Sequence, residues 1–168
     1  ITNIFVPKII NKKIDKIFSD GQIEGEFIIP FNSDGNIGND YGFSGKILDA
    51  SINITKELRL KDLTTEIIHT KEDKANLFNI IIKKGSILGI DLTDSEFKFK
   101  RANSETDVKS FLKTSGEFNF SKIKTISSLL NLNLHNIKNI NGKGDLKTNL
   151  DFKLNKKYRI KNLIYSIE

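Results

Sequence analysis

The sequence predicts a mostly β chain: a long antiparallel meander sheet accompanied by two short helices. Residues 142–154 carry the clearest signal. Their even positions (Gly142, Gly144, Leu146, Thr148, Leu150, Phe152, Leu154) hold no charge, and their odd positions (Lys143, Asp145, Lys147, Asn149, Asp151, Lys153) are all polar. Period-2 alternation sends successive side chains to opposite faces of a strand. At roughly 3.3 Å per residue the stretch spans about 43 Å, more than twice the usual strand of about 5–6 residues. Similar alternating blocks recur from residue 22 onward, separated by turn residues rather than helix-length segments. Short turns between strands indicate an antiparallel meander, not βαβ units. Glycine also precedes alternating runs at Gly21, Gly42, Gly116 and Gly142. The irregular spacing makes this a recurring strand-start device rather than a strict repeat.

In chain order, Pro7 opens a first helix over residues 8–18, with Ile10, Ile14, Ile17 and Phe18 at three-to-four spacing and Asp20-Gly21 ending it. Ile23, Gly25, Phe27, Ile29 and Phe31 then share one strand face, and residues 32–40 form a turn-rich loop. Phe43, Gly45 and Ile47 share a face, after which the phase slips to Leu48, Ala50, Ile52 and Ile54. A one-residue slip suggests a bulge, and a second slip falls near Asp62. Strand-like runs follow at residues 76–83 and 86–92, flanking Lys84-Gly85, then at 96–101 and 108–120. Ser121 is placed to cap a short helix at 122–130, with Ile123, Ile126, Leu129 and Leu130 as its stripe; the alternative for this stretch is irregular loop. Residues 132–140 read as extended, then the long strand runs to Asn155-Lys156, a tight turn into a last strand.

At 168 residues the chain suffices for one domain with a core, and no boundary divides it, so 1–168 reads as a single β-rich segment. It opens at Ile1 without Met and ends in strand-like sequence, so it reads as an excerpt whose anchor or targeting signal lies outside. No apolar run approaches the ~20 residues of a membrane span. The net charge is +6, from 27 basic and 21 acidic residues interspersed along the chain. Only Arg59, Arg101 and Arg159 are arginines, against the concentrated Arg-rich stripe that nucleic-acid binding favours. The charge therefore reads as a solvated Lys-rich face with weak attraction for anionic head groups. The 27 Ile, 18 Asn and 24 Lys are residues of AT-rich codons, which lowers the weight that net charge carries.

Catalytic and metal signals are sparse. There is no cysteine, so neither disulfide nor thiolate site can form. His69 and His135 lie far apart and read as surface or edge histidines. Asp91 with Asp94, and Glu72 with Asp73, read as turn formers. The segment from Asn32 to Asn36 resembles a calcium loop superficially but lacks the bidentate Glu at the twelfth position. Gly142-Lys143-Gly144-Asp145 has neither the spacing nor the following helix of a phosphate loop, and no nucleophile elbow occurs. The expectation is no enzyme, no metal and no cofactor. The apolar strand faces remain, and pattern alone leaves two readings open. They are core, or they line a groove, where each buried CH₂ gains about 0.8 kcal/mol and a 16-carbon chain on the order of 12 kcal/mol.

Several stretches carry a family likeness. They are Ser115-Gly116-Glu117-Phe118-Asn119-Phe120, the apolar segment 123–130, Ile140-Asn141-Gly142-Lys143-Gly144-Asp145-Leu146 running to Leu154, the ending from Tyr158, and Gly42-Phe43-Ser44-Gly45-Lys46-Ile47. Over residues 41–168 they resemble the AsmA-like envelope proteins of the YhdP/TamB type, the bacterial bridge-like lipid transfer proteins. That resemblance implies a twisted sheet curled into a trough, anchored in the inner membrane, crossing the periplasm and moving phospholipid to the outer membrane. It implies no catalytic residues. It implies that Ile52, Ile54, Phe97, Phe99, Leu146, Leu150, Phe152 and Leu154 face phospholipid acyl chains, with head groups at an open, Lys-lined seam. The rival from another class is a structural or adhesive β-repeat module with a closed core and no ligand. Nucleic-acid binding is the third and least favoured. An exposed trough and open sheet edges would favour self-association in isolation.

Overall fold

The computed structural model describes residues 18–36, 38, 41–55, 58–72, 75–102, 105–129, 139–157 and 159–168. They form one antiparallel sheet and one helix. The strands are β1 (Phe18–Ile28), β2 (Gly42–Asn53), β3 (Arg59–Glu72), β4 (Ala75–Ile87), β5 (Ile90–Leu92), β6 (Ser95–Ala102), β7 (Glu105–Asn119), β8 (Asn141–Leu154) and β9 (Ile160–Ile167), with α1 (Phe120–Leu129) between β7 and β8. The order is β1-β2-β3-β4-β5-β7-β8-β9, and β6 also pairs with β4 and β7. The sheet is therefore an open meander with β1 and β9 at its edges. No helix among the described residues is long and apolar enough to cross a membrane.

Residues 8–17 of the first expected helix lie outside the described residues, and Phe18 opens β1 instead of closing that helix. Residues 130–138, with the end of the second expected helix and most of the extended stretch expected at 132–140, also lie outside them. The second expected helix is α1. Its cap is Asn119 rather than Ser121, because the Asn119 Oδ1 accepts the Lys122 N–H at 2.9 Å. The turn expected at Lys84-Gly85 is strand, and β4 runs through it. Gly85 lies against the Leu63, Ile82 and Leu60 side chains, in ordinary contact distance of where a Cβ would stand. The chain reverses instead at Leu88-Gly89, where φ values of 54° and 68° between the paired Ile87 and Ile90 make a two-residue turn with both central residues left-handed.

The pairing of β4 with two strands reflects an interruption. β5 and β6 occupy one position between β4 and β7, broken at Thr93-Asp94. Ser95, fully buried, repairs the break: its hydroxyl accepts the Lys113 N–H at 2.9 Å and donates to the Lys113 carbonyl at 3.3 Å. Related irregularities cross the sheet at a similar level. The β2/β3 register shifts on either side of Ala50, and the β3/β4 register shifts between Lys61, Thr64 and Thr65. Asp49, Asp62 and Asp94 have φ of 49°, 50° and 51°, the left-handed region that Asp tolerates better than most residues. Both phase slips read from the sequence fall on this belt. Bulges bend a strand and increase its twist.

The bend places the core. One cluster joins Ile47 and Ile82 above the belt to Ala50, Leu60, Leu63 and Leu92 below it, with Ile52, Ile67, Ile87 and Phe97 packed against it. A second joins Val108, Leu150 and Phe152, flanked by Phe99, Leu112, Leu154, Ile160 and Leu163. Contacts between elements run essentially between sheet neighbours, plus α1 on β7. Burial of Val108 and Ile90 to 1% exposure within one layer follows if the sheet curls around its own apolar face. The bulge conformation is testable. A β-branched residue in the left-handed region costs about 1–2 kcal/mol, so Asp62→Val lowers the free energy of unfolding in urea by that amount, whereas Asp62→Gly leaves it nearly unchanged.

Candidate functional site, an apolar sheet face

The strand registers align side chains into rows that cross the sheet. One row reads Phe27, Phe43, His69, Phe78, Phe99, Val108, Phe152 across seven consecutive strand positions. At about 4.8 Å between strands it extends roughly 29 Å. The next row reads Gly25, Gly45, Ile67, Ile80, Phe97, Ser110, Leu150, Tyr165, and spans the whole sheet. A third begins Ile23, Ile47, Thr65, Ile82. All three lie on the face that holds both hydrophobic clusters.

Register puts the sequence-derived candidates on this same face. Phe99 and Phe152 belong to the first row, and Phe97 and Leu150 to the second. Leu154 lies one row beyond the first, while Ile52 and Leu146 lie on the other side of the bulges, opposite Leu60 and Thr114. Ile54 follows the end of β2 and is 47% exposed. Leu150 and Phe152 are buried, and Ile52, Phe97, Phe99, Leu146 and Leu154 are half-buried. The accessible apolar surface of the face lies instead at Phe27 (74%), Phe78 (37%), Tyr165 (57%) and Ile167 (59%). These residues belong to strands whose alternation is plain, but only pairing register shows that they stand beside the candidates. His69, expected at a surface or edge, is buried. Its ring lies 5.5 Å from Tyr41 and 4.4 Å from Phe78, and its Nε2 lies 3.1 Å from the Asn76 Oδ1. His135 lies outside the described residues.

The opposite face is charged. Glu66 with Lys83, Glu96 with Lys98, Lys109 with Asp151, and Asp107 with Lys153 form ion pairs there at 3.0–3.7 Å. These side chains are largely solvated, so each pair contributes about 0–1 kcal/mol. A concavity of about 370 Å³ there is open and of mixed lining, with Phe111 and Ile164 beside Glu96, Lys98, Lys109 and Asp151, unlike an enclosed ligand pocket. No group of three or more His, Asp or Glu suited to a metal occurs among the described residues. In the loop after β1, the Asp34 carboxylate accepts the Asn36 N–H at 3.0 Å and the Asn36 amide at 2.9 Å; these bonds hold its pKa below the usual value.

Two glycines shape the apolar face near β1. A Cβ on Gly25 would come within 2.6 Å of the Phe43 ring. One on Gly45 would come within 2.5 Å of that ring and 2.8 Å of the Glu24 carbonyl. Phe43 thus lies down over the paired glycines, 4.9 Å from Phe27, and covers backbone that no side chain protects. Gly45→Ala must displace both the ring and the β1 backbone, for which overpacking costs about 1–3 kcal/mol. A double-mutant cycle with Phe43→Ala checks this: the penalty for the added methyl shrinks once the ring is gone.

Searches of protein-family models, curated proteins and solved structures find nothing that matches this chain.

Proposed function

We propose that the chain is a segment of a cell-envelope protein whose apolar sheet face carries phospholipid acyl chains between the inner and outer membranes. The observation that supports this reading most is the pair of apolar rows running in register across seven and eight strand positions of an open, one-layer sheet. Among the described residues no second sheet lies on that face. A continuous greasy track suits a hydrocarbon chain, which gains about 0.8 kcal/mol for each CH₂ it buries and needs no directional partner. The reading keeps the likeness to AsmA-like envelope proteins, assigns the chain no catalysis, and sets it in the periplasm with a membrane anchor elsewhere in its protein. The ion-paired cations of the opposite face weigh against nucleic acid as a partner.

A closed structural or adhesive module is the second reading, and the fully buried Val108 and Ile90 favour it. Native mass spectrometry with lipid extraction, on protein expressed in a bacterium, separates the two. The lipid reading expects co-purifying phospholipid that is lost in Phe78→Asp with Tyr165→Asp, at accessible positions, while β-type circular dichroism persists. A lipid-free, monomeric, cooperatively folding protein overturns it. Leu150→Asp or Phe152→Asp is a test of folding: burying an unpaired carboxylate in the second cluster destabilises by about 3 kcal/mol or more.

A further inference from the structure

The apolar face is polarised along its strands. Through the regular registers, outside the bulges, it presents no Asp or Glu and only two full cations, Lys71 and Arg101. Both fall in a single row, which reads Lys71, Asn76, Arg101, Thr106 and then continues into Leu154 and Ile160, and which borders the aromatic row of His69, Phe78 and Phe99. Lys71 and Arg101 sit on β3 and β6, with β4 between them, so about 10 Å separates their backbones. The groups between and beside them are donors. The Asn76 Oδ1 lies 3.1 Å from His69 Nε2 and accepts from the tautomer that carries its proton there. The Asn76 amide nitrogen and the Thr106 hydroxyl are further donors carried by this row. The Lys71 Nζ stands 5.3 Å from the centre of the Tyr41 ring, which holds the ammonium beside the aromatic row.

We propose that the Lys71–Asn76–Arg101–Thr106 row is an anionic head-group site, which takes the phosphate of an anionic phospholipid whose acyl chains lie along the adjoining aromatic and aliphatic rows. This rests on the acyl-chain reading above. Two cations with an amide and a hydroxyl donor match a phosphate oxygen set. Among the described residues, the regular registers of this face hold no carboxylate that would repel it. Charge complementarity at one rim, with hydrocarbon-compatible surface beside it, gives an amphiphile a fixed direction along the strands.

The test incubates the 168-residue protein with vesicles of equal parts phosphatidylglycerol and phosphatidylcholine, re-isolates the protein and quantifies both lipids by mass spectrometry. The site predicts enrichment of phosphatidylglycerol by roughly tenfold, the scale of charge-assisted contacts, falling as salt is raised. Lys71→Gln with Arg101→Gln brings the ratio near unity while total lipid is largely kept, and Lys71→Arg with Arg101→Lys restores most of the preference. Lys100→Gln with Lys147→Gln removes the same charge from the opposite face and leaves the preference intact. Equal uptake of both lipids by the unaltered protein overturns the head-group site and spares the acyl-chain reading. An equal drop in preference for the two double variants overturns it as a net-charge effect. Uptake of neither lipid overturns both.

Discussion

A one-layer sheet with one apolar face can shield that face from water only by bending, and the bulge belt is what lets this sheet bend. Asp49, Asp62 and Asp94 take left-handed backbone on strands that lie side by side or one apart. Their side chains remain short and polar where a β-branched residue would be strained. Across the belt, Ile47 and Ile82 meet Leu60, Leu63 and Leu92 without help from a second sheet. Each buried aliphatic side chain is worth about 1.5–3 kcal/mol, so the curvature and the core are one event energetically. Ser95 marks where the constraint is tightest. The ladder breaks at Thr93-Asp94, and its fully buried hydroxyl replaces the missing backbone partner for Lys113.

The same face is graded. Toward β1 it is open, with Phe43 lying flat over Gly25 and Gly45. In the middle and toward β8 it is sealed around Val108, Leu150 and Phe152. Ser110 adds an oddity within the sealed part: its buried hydroxyl has no hydrogen-bond partner among the described groups, although it stands between Phe97 and Leu150 in an apolar row. Such a group costs stability rather than adding it, so folding alone does not account for it.

Strand existence was legible wherever alternation was clean, and residues 142–154 became β8 almost as written. The slips after Ile47 and near Asp62 were legible because a bulge must shift the phase of the side-chain pattern. Register was not legible, since each strand's pattern is compatible with pairing two residues away. That is why Phe78 and Phe43 were not placed beside Phe99 among the candidate residues. Lys84-Gly85 had the composition of a break, but β4 runs through it and the chain reverses at Leu88-Gly89 instead. His69 looked like a surface residue because one polar residue in an alternating run carries no mark of the Tyr41 and Phe78 rings that enclose it. Asn119 took the helix cap from Ser121 because Phe120 already has helical backbone.

The meander has a mechanical corollary. Because each strand is held mainly by its sheet neighbours, and α1 packs chiefly on β7, stability propagates along the strand order as in a linear chain of coupled units. β1 and β9 each have one neighbour, the strands between have two, and β4 and β7 have three because β5 and β6 share the position between them. Opening then proceeds inward from either end, and amide-exchange protection rises from the margins toward β4 and β7. The outermost strands, where Phe27 and Tyr165 lie, are the ones that can let go without the bent centre losing its shape.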